Sequence, residues 1–194
     1  MVPFSGLEMV ARGGGDLRSA MPSDFSIRAA GPEDVPAVLP MVRAICDQHW
    51  ALDPARYGYL PDVVERYAGW LPRQARDLRG VFLVAEAGTS AAAGGGTLVG
   101  FLIATIEQNI PIYTLTEFGY IHDVWVEPEF RGRGVARALT ERAAARFAEL
   151  GVRQVRLETA AGNDGARRLF AACGFRVDSV EMLRDLGPPA RPAG

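Results

Sequence analysis

The chain has 194 residues, 48% of them hydrophobic, with 21 basic and 23 acidic side chains and a formal net charge of −2. That length supports one domain around one substantial core and leaves little for a second. The near-neutral charge excludes a surface built as a whole to hold nucleic-acid phosphates or anionic lipid. Only two cysteines occur, Cys46 and Cys173, so neither a disulfide framework nor a metal-ligand spacing is present, and a reducing, cytoplasmic setting is expected.

Residues 1–22 carry Met1, Met9, a glycine run and scattered charges, without the charged start, apolar stretch and cleavage site of a secretory signal. They are expected to be a disordered leader, with the domain over 23–185 and a tail over 186–194; Met21 is a second plausible start. FSIRAA (25–30) alternates like a short strand, and Pro32 with two following acids marks the start of a helix that runs to Trp50. Pro40 is expected to kink or interrupt that helix, and Pro72 to break a second one over 61–78. VFLVAEA (81–87) and TLVGFLIATIEQ (97–108) form a hairpin across the loop GTSAAAGGG, the second run being of strand length and too short to cross a bilayer. GYIHDVWV (119–126) is a strand, and a helix follows from about Gly134 to Leu150, with Val135, Leu139, Ala143 and Phe147 as its apolar stripe. Gly151 ends that helix, 152–159 is a strand, 163–173 a short helix, and GFRVDSVEML (174–183) a last strand.

Between the strand ending at Val126 and the helix near Gly134, the stretch VEPEFRGRGVARAL (126–139) offers the main-chain N–H groups of residues 131–136 with almost no side chain at Gly132 and Gly134. A helix N-terminus has unpaired donors and the positive end of the helix dipole, and glycine lets an anion approach the main chain. A P-loop requires Lys-Ser or Lys-Thr after its last glycine, where Val135 and Ala136 stand; a dinucleotide fingerprint requires a glycine where Arg137 stands.

The stretch resembles the signature of the GNAT acetyltransferase superfamily: a strand, Val-x-Pro, then Arg/Gln-x-x-Gly-x-Gly/Ala opening a helix. Val126, Pro128, Arg131, Gly134 and Ala136 match it. A second motif of that family is matched by VRLET, Asn163, Ala166 and LFAACGF, so the resemblance covers about residues 25–183. It implies a GNAT-like α/β (α+β) fold, a mixed, mostly antiparallel sheet of about six to seven strands with helices on both faces. The implied activity is transfer of acetyl from acetyl-CoA to a primary amine by direct attack in a ternary complex. The implied partners are thus acetyl-CoA and an amine acceptor, not nucleic acid or membrane; members often form homodimers. By the same resemblance, the loop of Arg131, Gly132, Arg133, Gly134, Val135 and Ala136 holds the pyrophosphate, and Val124, Trp125 and Val126 line the pantetheine arm. Asn163 would hydrogen-bond the arm, with Ala166 and Phe170 against the coenzyme. From the residues alone, Asn163 reads equally as a helix N-cap, and Arg133 and Arg137 as solvated surface.

Transfer to an amine requires a neutral nucleophile. An amine with a lysine-like pKa of about 10.4 is neutral in only about one molecule in two thousand at pH 7, equivalent to roughly 4–5 kcal/mol. A base with a pKa near 6.5 suits that task, which singles out His122. Strict alternation puts His122, Val124 and Val126 on one face and Asp123 on the other. In the family a glutamate commonly stands where this chain has His122. Glu117, at the strand entrance, is expected to receive a cationic amine or relay its proton. Where many relatives have a tyrosine that protonates the leaving thiolate, this chain has Phe170, leaving water, Tyr113 or Tyr120 as acid. That substitution keeps open a second possibility, a noncatalytic acyl-CoA-binding module.

Overall fold

The structure is a computed structural model that describes residues 24–88 and 96–187. The leader, the centre of the glycine-rich loop and the end of the tail lie outside the described residues. The elements in chain order are β1 (Phe25–Ala29), α1 (Val35–Leu52), α2 (Val63–Gln74), β2 (Val81–Ala87), β3 (Thr97–Gln108), β4 (Glu117–Val126), α3 (Val135–Glu149), β5 (Val155–Leu157) and α4 (Asp164–Ala172).

The strands form one sheet in the order β1-β2-β3-β4-β5. The first four are antiparallel neighbours, and β5 is parallel to β4 because α3 carries the chain back across the sheet. Helices cover both faces, which explains why β2 and β3 are apolar almost without alternation. On one face Leu83, Val99, Leu102 and Ile121 meet the stripe of α3, Val135, Leu139, Ala143 and Phe147. On the other, Phe82, Val84, Phe101, Ile103 and Trp125 meet Val38, Val42 and Ile45 of α1 and Leu71 of α2.

α1 runs through Pro40 as one helix, contrary to the expected interruption. Pro36 and Pro40 are both exposed, so water can take the hydrogen bond that the missing N–H cannot supply. α2 ends two residues after Pro72. The sheet has five strands among the described residues rather than six or seven. Residues 174–183 form no strand, and Val177, Val180 and Met182 are 71%, 78% and 91% exposed. The physical reason is a missing partner: β5 is only three residues long and provides little edge on which to pair a strand.

Two irregularities in β4 shape the sheet beside α2 and β5. Ile103 pairs with Asp123 and Ala104 with Ile121, leaving His122 as an extra residue, a β-bulge. On the other edge, pairing with β5 stops at Ile121 and Leu157, while β4 continues to Val126. β3 and β4 also approach closely at Gly100, where an added Cβ would stand 2.7 Å from the main-chain oxygen of Trp125. That oxygen cannot swing aside as a side chain could. Gly100→Ala is therefore expected to destabilise the fold by about 1–3 kcal/mol, read as a lower denaturant midpoint with an unchanged slope.

Candidate active site

A cavity of about 280 Å³ opens in the fork where β5 leaves β4. Tyr120, His122 and Asp123 line it from β4, and Glu158, Thr159 and Ala160 from the chain after β5. His49 of α1, Tyr67 of α2 and Arg56 and Tyr57 from the intervening turn complete the wall. The bulge explains how two successive residues of one strand share this space. In a regular strand they would point to opposite faces. Here Ile121, Val124 and Val126 pack with the α3 side, whereas His122 touches Trp70 and Asp123 touches Tyr67, both on α2. The expected alignment of His122 with Val124 and Val126, with Asp123 turned away, is thus corrected by one extra residue.

The His122 side chain retains 29% of its surface. Its ring lies edge-on to Trp70 at 5.6 Å and to Tyr120 at 5.1 Å, and Nε2 is 2.7 Å from the hydroxyl of Thr105. Burial pushes its pKa below the ordinary histidine value, while Asp123 and Glu107 act in the opposite direction. The neutral ring is accordingly the main form at pH 7, ready to accept a proton. Asp123 is 8% exposed, and its Oδ2 accepts a hydrogen bond of 2.8 Å from the Tyr67 hydroxyl. Its Oδ1 has no hydrogen-bond partner among the described residues and is not sealed from the cavity. Burial pushes this carboxyl above the usual range; Tyr67, His122 and His49 pull the other way. Cys46 beside it is an inert thiol, raised to about 11 chiefly by burial.

Beyond the open edge of β4 the chain turns through Arg131–Gly134 into α3. Gly132 and Gly134 have φ of +74° and +85°, in the left-handed region that favours glycine, and an added Cβ at either would meet nothing within 4 Å. Among the described residues Gly132, Arg133 and Gly134 donate no main-chain hydrogen bond, and Val135, Ala136 and Arg137 open a helix that has no side-chain cap. The arginine side chains are engaged elsewhere. Arg131 stacks over Trp125 at 4.6 Å and donates from Nε to the Val126 carbonyl at 2.9 Å, and Arg133 lies over Phe130 at 5.0 Å. What faces outward is a row of amides at a helix N-terminus, a donor set suited to a phosphate group.

The acetyltransferase (GNAT) family model matches residues 45–175, a span that includes this loop, the bulge and the cavity wall. The chain belongs to the GNAT acetyltransferase family. A GNAT protein is an acyltransferase enzyme that uses acetyl-CoA, and the loop amides fit that coenzyme's pyrophosphate. An uncharacterised N-acetyltransferase of Archaeoglobus fulgidus is 31% identical over 152 residues, covering 78% of this chain and 93% of that protein. The N-alpha-acetyltransferase RimI of Mycobacterium tuberculosis is 34% identical over 114 residues, 51% of this chain. The matched region spans only 66% of that relative's length. A predicted acetyltransferase from Clostridium acetobutylicum, solved with acetyl-CoA, shares the fold with a TM-score of 0.63 at 18% identity, covering 84% of this chain and 96% of that one. No described helix is long and apolar enough to cross a membrane.

The expected residues do not all gather in one place in this GNAT domain. His122 and Asp123 meet in the cavity, whereas Glu117 pairs with Arg79 at 2.7 Å and does not line it. The Asn163 side chain accepts from the Ala166 amide at 3.1 Å as the N-cap of α4, which leaves its own amide donors free. Phe170 packs against Phe175 at 5.7 Å, and Trp125 against the α1–α2 core, its buried indole nitrogen having no hydrogen-bond partner among the described residues. Tyr67, Arg56, Glu158, Thr105 and Glu107 escaped the sequence reading. Only the even spacing of Thr105 and Glu107 on an apolar strand signalled polar residues sharing one face.

Tyr67→Phe would leave the buried Asp123 carboxylate without its hydrogen-bond donor, at a cost of about 1–3 kcal/mol at neutral pH. Because the folded pKa of Asp123 is raised, protonation favours the folded state. Stability contributed by this group is present at acid pH and declines as pH rises through that pKa. Denaturant titrations should therefore show a larger Tyr67→Phe deficit at pH 8 than at pH 5.

Proposed function

We propose that this protein is an N-acetyltransferase that passes the acetyl group of acetyl-CoA to a primary amine of a small molecule or a peptide, by direct attack with both substrates bound. The observation that carries the proposal is the shared location of His122 and Asp123 in the β4–β5 fork, beside an unpaired strand edge that leads to the amide row at residues 132–137. The main-chain groups of Val124 and the amide of Val126 lie along that edge and would meet the pantetheine arm, the Val126 carbonyl being held by Arg131. Asn163 would reach it through its free amide donors.

When bound, acetyl-CoA supplies the thioester carbon and the thiolate that departs. The Oδ1 of Asp123 offers a site for an ammonium group, and the tyrosine walls add favourable ring faces for a cation. His122, held neutral, takes a proton from the ammonium and so frees the lone pair that forms the N–C bond; the second proton leaves the nitrogen as that bond forms and balances the one given to the departing thiolate. Of the two tyrosines considered as acid, Tyr120 lines the cavity while Tyr113 is 55% exposed on a loop outside it. Tyr120 is therefore assigned to the departing thiolate, since Phe170 has no proton to give. The volume, about 280 Å³, has room for about nine water molecules. That suits a small amine or the first residue of a peptide, and the name of the mycobacterial relative puts α-amines first among candidates.

Mixing the protein with acetyl-CoA and a panel of α-amino acids, short peptides, polyamines and aminoglycosides, while following free thiol, tests the reading. Turnover with at least one amine is expected; coenzyme binding without transfer to any would favour a noncatalytic acyl-CoA-binding module. His122→Ala should lower kcat about 100-fold at pH 7 and much less at pH 9, where more of the amine is already neutral. The wild-type kcat/KM profile should rise with pH through a histidine pKa below 6.5. Equal loss at both pH values would contradict the role of His122 as base.

A further inference from the structure

We propose that Thr105 and Glu107 of β3 are positioning residues that set the tautomer of His122, leaving Nδ1 as the nitrogen that accepts the acceptor's proton. The inference rests on the reading of His122 as base. It adds the question of which nitrogen acts and what holds the ring.

The hydroxyl of Thr105 donates to Oε1 of Glu107 at 2.7 Å and lies 2.7 Å from Nε2 of His122. A hydroxyl has one proton, and a carboxylate accepts only. With that proton spent on Glu107, the Thr105 oxygen can only accept from the ring. Nε2 therefore bears hydrogen, and the neutral imidazole keeps its lone pair at Nδ1. No partner for Nδ1 occurs among the described residues, and the ring lines the cavity.

The geometry has a local cause. Thr105 and Glu107 alternate on one face of β3, and the register places Thr105 opposite Tyr120, two residues before the bulged His122. The bulge shifts the ring toward the α2 side, where Trp70 and Tyr120 flank it edge-on at 5.6 Å and 5.1 Å. Two aromatic edges and one hydrogen bond fix the ring plane. When Nδ1 takes the amine proton, the N–H to Thr105 persists and the ring becomes an imidazolium. Its new positive charge then lies 3.7 Å from the Glu107 carboxylate, and no proton passes to Glu107. The chain Glu107–Thr105–His122 thus orients the base and stabilises its protonated form through an intervening hydroxyl.

The other titratable and charged groups around the cavity are Asp123 and Tyr120 on β4, His49 on α1, Arg56 and Tyr57 after it, Tyr67 on α2 and Glu158 beyond β5. None has a hydrogen bond to the ring.

Two-bond 1H–15N spectra of the histidine-labelled free protein report the tautomer without any turnover. Wild type and Thr105→Ser should show His122 protonated at Nε2. Thr105→Val should lose that preference while keeping its thermal midpoint, and its kcat should fall at least about tenfold with little change in KM for acetyl-CoA. Glu107→Gln, whose carbonyl still accepts from Thr105, should keep the tautomer but move the acid limb of kcat/KM to lower pH, because a charge that raises the His122 pKa is gone. An Nδ1–H tautomer in wild type, or an unchanged spectrum in Thr105→Val, overturns the proposal. A tautomer lost in Thr105→Val with kcat unaltered would uphold the ring placement and instead refute His122 as base.

Discussion

Between Ile121 and Asp123 the main chain of β4 has one residue more than β3 can pair, and past Ile121 its other edge has no β5 to bond. The first irregularity turns His122 and Asp123 to the same side. The second opens a fork beside them and leaves β4 unpaired as far as Val126. Without the bulge, regular alternation would put one of these two side chains into the α3 face, among apolar residues that cannot satisfy it. Sheets cannot be locally irregular without support, and here the support is the pair of cores. α3 and the α1–α2 layer clamp β2 and β3 from both faces, so that β4 is referenced to a rigid neighbour on one edge while its other edge is free.

Electrostatics follow from that geometry. The cavity brings together His49, His122, Asp123 and Tyr67, and burial opposes the charged form of each. It lowers the two histidines and raises the carboxyl and the phenol, so each group is drawn toward its neutral form. A cluster of perturbed titratable groups in a cleft is the usual character of a functional site. The loop that leads into α3 is built on a different principle. Its arginines are bound up in stacking and main-chain contacts, and the attraction for anions resides in amides that the helix cannot satisfy.

Much of the frame was legible in the residues. The apolar runs gave β2, β3 and β4, the four-residue stripe gave α3, and Gly132 and Gly134 marked the loop because only glycine accommodates their positive φ. A last strand over 174–183 was expected from its alternating pattern and did not form, since a strand requires a partner edge and sequence patterns do not report one. The site was less legible for a related reason. Alternation assigns His122 and Asp123 to opposite faces, and a bulge is invisible to a period-two pattern. Tyr67 and Glu158 come from an amphipathic helix and a loop, where nothing nearby in sequence distinguishes a cavity wall from ordinary surface. Phe170, which lacks the expected hydroxyl, drew attention to the question of the proton donor, and of the two tyrosines weighed for that role it is Tyr120 that lines the cavity.

The central claim is that main-chain amides from Gly132 to Arg137 hold the coenzyme while β4 presents its unpaired edge to the arm. Amide hydrogen exchange, followed residue by residue with and without saturating acetyl-CoA, tests it most directly. Slowed exchange at 132–137 and along the free edge of β4 to Val126, with the distant pairing of β1 and β2 unchanged, is the predicted result. Coenzyme binding demonstrated by calorimetry with no protection in that loop would contradict the account.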